Sequence, residues 1–292
     1  MNEKIAIRIN RDLIRMLRAL ADGVAKSIGA DPPEFYLEHY LNFTAYLESI
    51  FSVGEALGIK PGHSVLEIGS GLGTRCLIGS AIWNANFTGL EPCSETYSSL
   101  KDAILEFKRI NADIPYISVD ARGEATGLAS DSYDFVISCE VLEHVENSGK
   151  VIAEMHRVLK PGGKIFFSTC NYNSFYEGHY HTLWFPFLNK KTGRIWVKWL
   201  GYNPKFVDEI NFITRSSLLR NMKDSGFKKI NLGYLYPAIS PPRLEVDLPE
   251  GFDPLFKKER GSFLGRAIQH PISQKALGLI GMEYKICGIA EK

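Results

Sequence analysis

The chain predicts an α/β fold, a parallel sheet with helices packed on both faces. Three observations predict it. Between residues 63 and 170, short β-branched runs alternate with helical stretches. One run, Val65-Leu66-Glu67-Ile68, leads directly into the glycine-rich turn Gly69-Ser70-Gly71-Leu72-Gly73 and a helix beginning at Thr74. The 292 residues, 45% hydrophobic, can bury a large core without help from disulfides or metals.

Residues 1–60 read as a helical N-terminal cap. Leu13, Ile14, Leu17, Leu20 and Ala21 recur at helical spacing, and so do Tyr40, Phe43, Tyr46, Leu47, Ile50 and Phe51, with a stop at Gly58. The main domain occupies 61–292. Its strands are expected at 64–68, 87–90, 116–119, 135–138 and 164–168, with two more at 229–236 and 284–290. Helices are expected near 74–84, 95–109, 148–159 and 215–224. Two stretches interrupt this rhythm and read as insertions. Residues 172–213 hold twelve aromatics in 42 positions, against a chain average of 12%. Such enrichment marks either the roof of a pocket or a small accessory core. Residues 237–282 are rich in Pro and Gly and show little periodicity.

Charge and cysteine usage exclude several classes. Lys plus Arg is 34 and Asp plus Glu 33, a net charge of +1, which gives no general attraction to nucleic acid. The five cysteines are scattered without a CxxC, so reduced thiols and a cytoplasmic location are expected. The N-terminus carries charges every few residues rather than a secretory apolar core, and no run of ~18 apolar residues exists to span a bilayer.

The glycine turn is the sharpest chemical signal. Gly69 and Gly71 let the backbone approach a ligand, and the following helix N-terminus offers free N–H groups. The spacing is GxGxG, not the GxGxxG of dinucleotide enzymes. Glu67 sits two residues before the first glycine, where a pyrophosphate is repelled and a sulfonium or ammonium group attracted. Glu91 follows the second strand, placed to accept from both ribose hydroxyls. Asp120 follows the third. The competing account of each acid is a solvated loop residue or a helix N-cap.

These residues carry a family resemblance. Val65–Gly73, Leu90-Glu91-Pro92, Asp134–Val145 and Arg157–Lys164 resemble, in order, the motifs of class I S-adenosylmethionine-dependent methyltransferases of the type 11/12-like group. The resemblance implies a Rossmann-like three-layer αβα sandwich. Its seven-stranded, mostly parallel sheet would have an antiparallel last strand, 284–290, inserted between strands five and six. It implies S-adenosyl-L-methionine as cofactor. Glu67, Gly69, Ser70 and Gly71 would hold the methionine part, Glu91 with Pro92 the ribose, Asp120 with Ala121 the adenine edge. Cys139 and Glu140 would lie near the transferring methyl.

An oxygen acceptor also needs its proton removed as it attacks. Glu140, Glu143 and His144 follow the fourth strand as ExxEH; on a starting helix they would share one side. His144, with Glu140, can serve as a general base. Alternatively the three resemble the metal-binding pattern of ubiquinone-pathway O-methyltransferases and of small-RNA 2′-O-methyltransferases; the latter use a further histidine beyond strand five, a part His179 or His181 would play. Packing or capping of the helix is the plain alternative. The insertion should roof the acceptor pocket at the carboxyl ends of the strands. Lys190, Lys191, Arg194, Trp196, Lys198 and Trp199 suggest a patch leaning on a membrane that holds a lipid-linked acceptor.

The leading reading is therefore O-methylation of a small molecule, sugar or glycolipid. The alternatives are a metal-assisted RNA 2′-O-methyltransferase, against which the charge balance counts, and a non-catalytic cofactor-binding partner subunit. A nicotinamide dehydrogenase is disfavoured by the GxGxG spacing and Glu67.

Overall fold

The computed structural model describes residues 4–93, 98–233, 241–252, 277–278 and 281–292. Its centre is the sheet formed by β2 (Ser64–Ile68), β3 (Asn86–Leu90), β4 (Ile117–Val119), β5 (Tyr133–Cys139), β6 (Leu159–Cys170), β9 (Lys228–Leu232) and β11 (Lys285–Glu291). The strand order is β4-β3-β2-β5-β6-β11-β9. β11 runs antiparallel to both neighbours, and the pairs among β2 to β6 are parallel. The expected Rossmann-like seven-stranded architecture is thus present, with its antiparallel strand in the expected place.

Side-chain alternation along the strands makes the three layers. Val65, Phe135, Ile137 and Phe166 face one core, shared with α1 (Arg11–Ile28), α3 (Phe43–Leu57), α4 (Thr74–Trp83) and α5 (Ser98–Ile110). Leu66, Val136, Ile165 and Phe167 face the other, shared with α6 (Ser148–Val158) and α9 (Arg215–Asp224). Period-two alternation within a fully buried strand requires apolar cover on both faces, and both helical layers supply it. Thr214 caps α9 in a reciprocal pair with Ser217, and Gly226 follows that helix at φ 96°.

Two expectations need correction. The cap is not wholly helical: Lys4–Arg8 is a strand, β1, paired in parallel with β10 (Arg243–Asp247) inside the second insertion. Ile5 and Ile7 are buried and their charged neighbours exposed, but five alternating residues are too short a signal beside a long helix. The run from Tyr40 to Gly58 is also divided. α2 (Pro33–Leu41) ends at Asn42, whose side chain then accepts from Ala45 N at 3.2 Å and starts α3. The strand expected at 229–236 is described only to Leu232; 234–236, like 95–97 of the expected helix 95–109, lie outside the described residues. Most of 237–282 lies outside them too.

The aromatic insertion folds partly into a third small core. Tyr172, Tyr180, Trp184 and Phe206 are buried together with Ile28 from the end of α1. It carries the two-residue strands β7 (Tyr176–Glu177) and β8 (Thr182–Leu183), then α7 (Lys190–Trp199) and α8 (Phe206–Glu209). Packing between α3 and α4 is tight at Gly54, where an added Cβ would lie 2.2 Å from Trp83 Cη2. Gly54→Ala is therefore expected to cost about 1–3 kcal/mol despite alanine's better helix propensity, read as a lower Tm.

Candidate active site

A cavity of about 490 Å³ opens at the carboxyl ends of the central strands. Its floor is Ile68, Gly69, Gly71, Leu90, Glu91 and Pro92 from the ends of β2 and β3. Glu140, Val141 and His144 come from the turn after β5, and His179, Phe206 and Glu209 from the aromatic insertion. Val24, Ser27 and Ile28 of α1 close one side, so the N-terminal cap contributes to the wall.

The turn is built for close approach. Gly69 and Gly71 lie at φ 72° and 53°, the left-handed region that a β-carbon disfavours. A Cβ on Gly69 would strike Val141 Cγ2 at 2.2 Å, so this glycine lets the turn after β5 pack down. A Cβ on Gly71 would meet nothing within 4 Å; its space belongs to the cavity. Glu91 Oε2 accepts from Gly71 N at 2.8 Å across that space. Burial raises the Glu91 pKa, so the carboxyl is short of donors. Among the described residues, four carboxylates line the cavity, Glu91, Glu124, Glu140 and Glu209, against one arginine, Arg122, itself paired with Glu146 at 2.8 Å. That excess suits a cationic, hydroxyl-bearing ligand, so the residues present fit S-adenosylmethionine.

Not every expected site residue lines the cavity. Glu67 is 2% exposed and sits behind the turn, where Arg75 Nη1 approaches at 3.1 Å and the Cys76 thiol donates at 3.1 Å. Its charge is already neutralised, and Arg75 in turn lies over the Tyr46 ring. Ser70 points inward, its hydroxyl where a Cβ on Gly89 would go. Asp120 accepts from Cys93 N at 3.0 Å and faces Lys101 Nζ at 3.6 Å, clamping the loop after β3. Ala121 packs against the second core, and Cys139 is buried, its thiol pushed up to about 11 by burial.

The ExxEH segment is a turn, not a helix; α6 begins only at Ser148. Glu140 stands at φ 57°, a strained position for a residue with a side chain. The shared helical face is therefore lost: Glu140 and Glu143 stay close to one another, and His144 turns away from them. Glu140 accepts from Ser168 Oγ at 2.6 Å and faces Lys285 Nζ at 3.4 Å. Burial opposes its ionisation, but Lys285 prevails and holds it below the usual range. Glu143 is fully buried and accepts from Thr169 Oγ1 at 2.9 Å; burial, then Glu140, push it to about 7. Asn211, ahead of α9, pins this turn by donating to Glu143 O at 2.7 Å and to Val145 O.

His144 turns instead toward the insertion. Its Nε2 lies 3.2 Å from His179 Nε2, and the rings meet edge to face. His179 Nδ1 lies 2.8 Å from Glu177 Oε1. Glu177 is 2% exposed and also accepts from Tyr172 OH at 3.0 Å and Tyr180 N at 2.7 Å. The buried carboxylate stays ionised: burial opposes charge, but His179 and the donors prevail. Burial likewise would lower His179, and Glu177 more than reverses it. His144 has no such partner; burial, then His179, lower it to about 4. The expected His181 is elsewhere, 3.1 Å from Asp31. Sequence reading missed Glu177, although Glu177-Gly178-His179 places a carboxylate two residues from the histidine.

Among the described residues, the carboxylate and thiol groups near enough to share a metal ion are Glu140, Glu143 and Cys170. The Lys285 ammonium already supplies positive charge beside Glu140. The contact between the two histidines is a hydrogen bond when one of the two Nε2 atoms carries a proton.

Comparison with known proteins agrees with this geometry. The family model described as a methyltransferase domain matches residues 37–232. The ubiquinone biosynthesis O-methyltransferase of Photobacterium profundum is 35% identical over 113 residues, covering 39% of this chain and 46% of that protein. The chain thus matches about half the length of such curated relatives. A methyltransferase structure from Thermotoga maritima covers 96% of this chain and 99% of its own at TM-score 0.50 and 14% identity. The Haemonchus contortus phosphoethanolamine N-methyltransferase 2, solved with S-adenosyl-L-methionine, covers 83% of this chain and 51% of its own at TM-score 0.50 and 14% identity. With the family model spanning most of the chain and the sheet order, glycine turn and acidic cavity in agreement, this protein belongs to the class I S-adenosylmethionine-dependent methyltransferases.

Proposed function

We propose that the cavity methylates a hydroxyl oxygen of a small molecule, with Gly69, Gly71, Glu91 and Pro92 holding the methyl donor. The observation that carries this reading is the chain Glu177–His179–His144, opening onto the same cavity as Gly71 and Glu91. A bound sulfonium donor supplies the electrophilic methyl, so the protein's task is alignment, exclusion of water and removal of the acceptor's proton.

The tautomers follow from the contacts. Ionised Glu177 can only accept, so His179 Nδ1 donates to it. With His179 neutral, its Nε2 lone pair accepts from His144 Nε2–H, leaving His144 Nδ1 able to take the acceptor's proton. As that proton arrives, the one on His144 Nε2 passes to His179, and the charge comes to rest beside Glu177. The opposite pKa shifts of the two rings favour that direction: His144 stays neutral and His179 holds the proton. Glu140, anchored by Ser168 and Lys285, adds negative charge along the same wall.

The relatives named for ubiquinone biosynthesis O-methylation support an oxygen acceptor; sugars and glycolipids carry the same kind of hydroxyl. Calorimetry is expected to show S-adenosylmethionine binding and NAD not binding. Transfer of labelled methyl to a panel of phenolic and sugar hydroxyls tests the reaction. We expect transfer to survive EDTA, because the histidine pair needs only a proton between its rings. Loss of activity restored by magnesium would replace the relay with a metal centre.

A further inference from the structure

We propose that the outer face of the aromatic insertion is an interfacial surface that rests on an anionic lipid bilayer, from which an amphiphilic acceptor enters the cavity. Among the described residues, six large hydrophobic side chains are exposed, and four of them lie within 185–199. They are Phe187 at 80%, Trp199 at 73%, Ile195 at 63% and Phe185 at 42%. Scattered exposed apolar residues need no explanation, but a cluster of this kind marks a contact surface.

The patch is pre-arranged. Lys191, Ile195 and Trp199 follow one another at i, i+4 and i+8 along α7, so they form one outward stripe. The opposite side of α7 is fixed: Val197 is buried, and Trp196 Nε1 donates to Leu183 O at 2.8 Å while its ring stacks on Trp199. Phe187 is held at φ 70°, unfavourable for a bulky residue, with its ring in solvent.

Charge selects the occupant. Residues 185–200 carry Lys190, Lys191, Arg194 and Lys198 and no acidic residue. Arg194 pairs with Asp208, and Lys190 reaches Asp208 O, which ties α7 to α8. Lys191 and Lys198 remain exposed beside the apolar stripe. A second copy would set these lysines against each other, whereas anionic headgroups complement them and the acyl boundary takes the Phe, Ile and Trp side chains. The insertion that bears this face also supplies His179 and Phe206 to the cavity.

Only the acceptor part of this inference rests on the proposed function; membrane contact is read without any acceptor. The test is sedimentation with vesicles of phosphatidylcholine, alone or mixed with phosphatidylglycerol, at low salt. The wild-type chain is expected to sediment with the mixed vesicles, with a blue shift of tryptophan emission. Phe187→Ser/Trp199→Ser should weaken partition by roughly tenfold or more, and Lys191→Glu/Lys198→Glu should remove the preference for phosphatidylglycerol. Both variants should keep the wild-type melting curve and cofactor affinity. Vesicle binding without cofactor binding would overturn the proposed function alone. The inference is overturned if the wild type stays in the supernatant or the variants sediment like it. A dimer dissociated by Phe187→Ser/Trp199→Ser, or an RNA oligonucleotide bound in place of vesicles, would also overturn it.

Discussion

Replacing His179 with alanine is expected to lower kcat by roughly 10²–10⁴-fold, the span a positioned general base contributes, with cofactor affinity unchanged. The pH dependence has a definite sign. His179 is held above its ordinary pKa because the Glu177 charge outweighs the effect of burial. To receive the relayed proton it must be neutral, so activity should be low below that raised value and climb as pH passes it. Glu177→Gln removes the charge but not the shape. Burial then dominates, and the acidic limb of the kcat profile should move to lower pH while the plateau falls. A residue that merely supported the fold would lower activity at every pH and leave the limb in place. An unmoved limb in Glu177→Gln would remove the relay.

The second large effect concerns the donor. Glu91→Ala removes a carboxylate that burial has left short of donors and that sits across the open space at Gly71. Charge-assisted hydrogen bonds are worth about 1.5–3 kcal/mol each, so cofactor binding should weaken roughly ten- to a hundredfold for each hydrogen bond taken from the ribose. Gly71→Val should act more severely, because its branched side chain would enter the cavity from a left-handed backbone position. Calorimetry with each variant is the measurement, alongside a melting curve to show that the fold persists. Unchanged affinity in Glu91→Ala would place the ribose elsewhere.

The fold was legible because strand and helix periodicities were strong and the glycine turn has few structural contexts. The sheet order, the inserted antiparallel strand and the caps at Thr214 and Gly226 all follow from local chemistry or from the resemblance it carries. The site was legible only in part. Gly69, Gly71, Glu91, Pro92, Glu140 and His144 line the cavity, since each sits at or just beyond a strand end. From its position before the glycine turn Glu67 is expected to face a ligand cation; in the structure Arg75, eight residues on, is already beside it. A sequence shows which charges exist without saying which neutralise one another.

Local sequence determined the alternating elements, the GxGxG cradle and the acids at the strand tips, because each depends on residues a few positions apart. Tertiary structure alone decided the pairing of Lys4–Arg8 with Arg243–Asp247, the unwinding of the ExxEH turn and the meeting of His144 with His179. Those outcomes depend on distant segments competing for the same hydrogen bonds and buried space. That competition is settled only when the sheet, the cap and the insertion pack together.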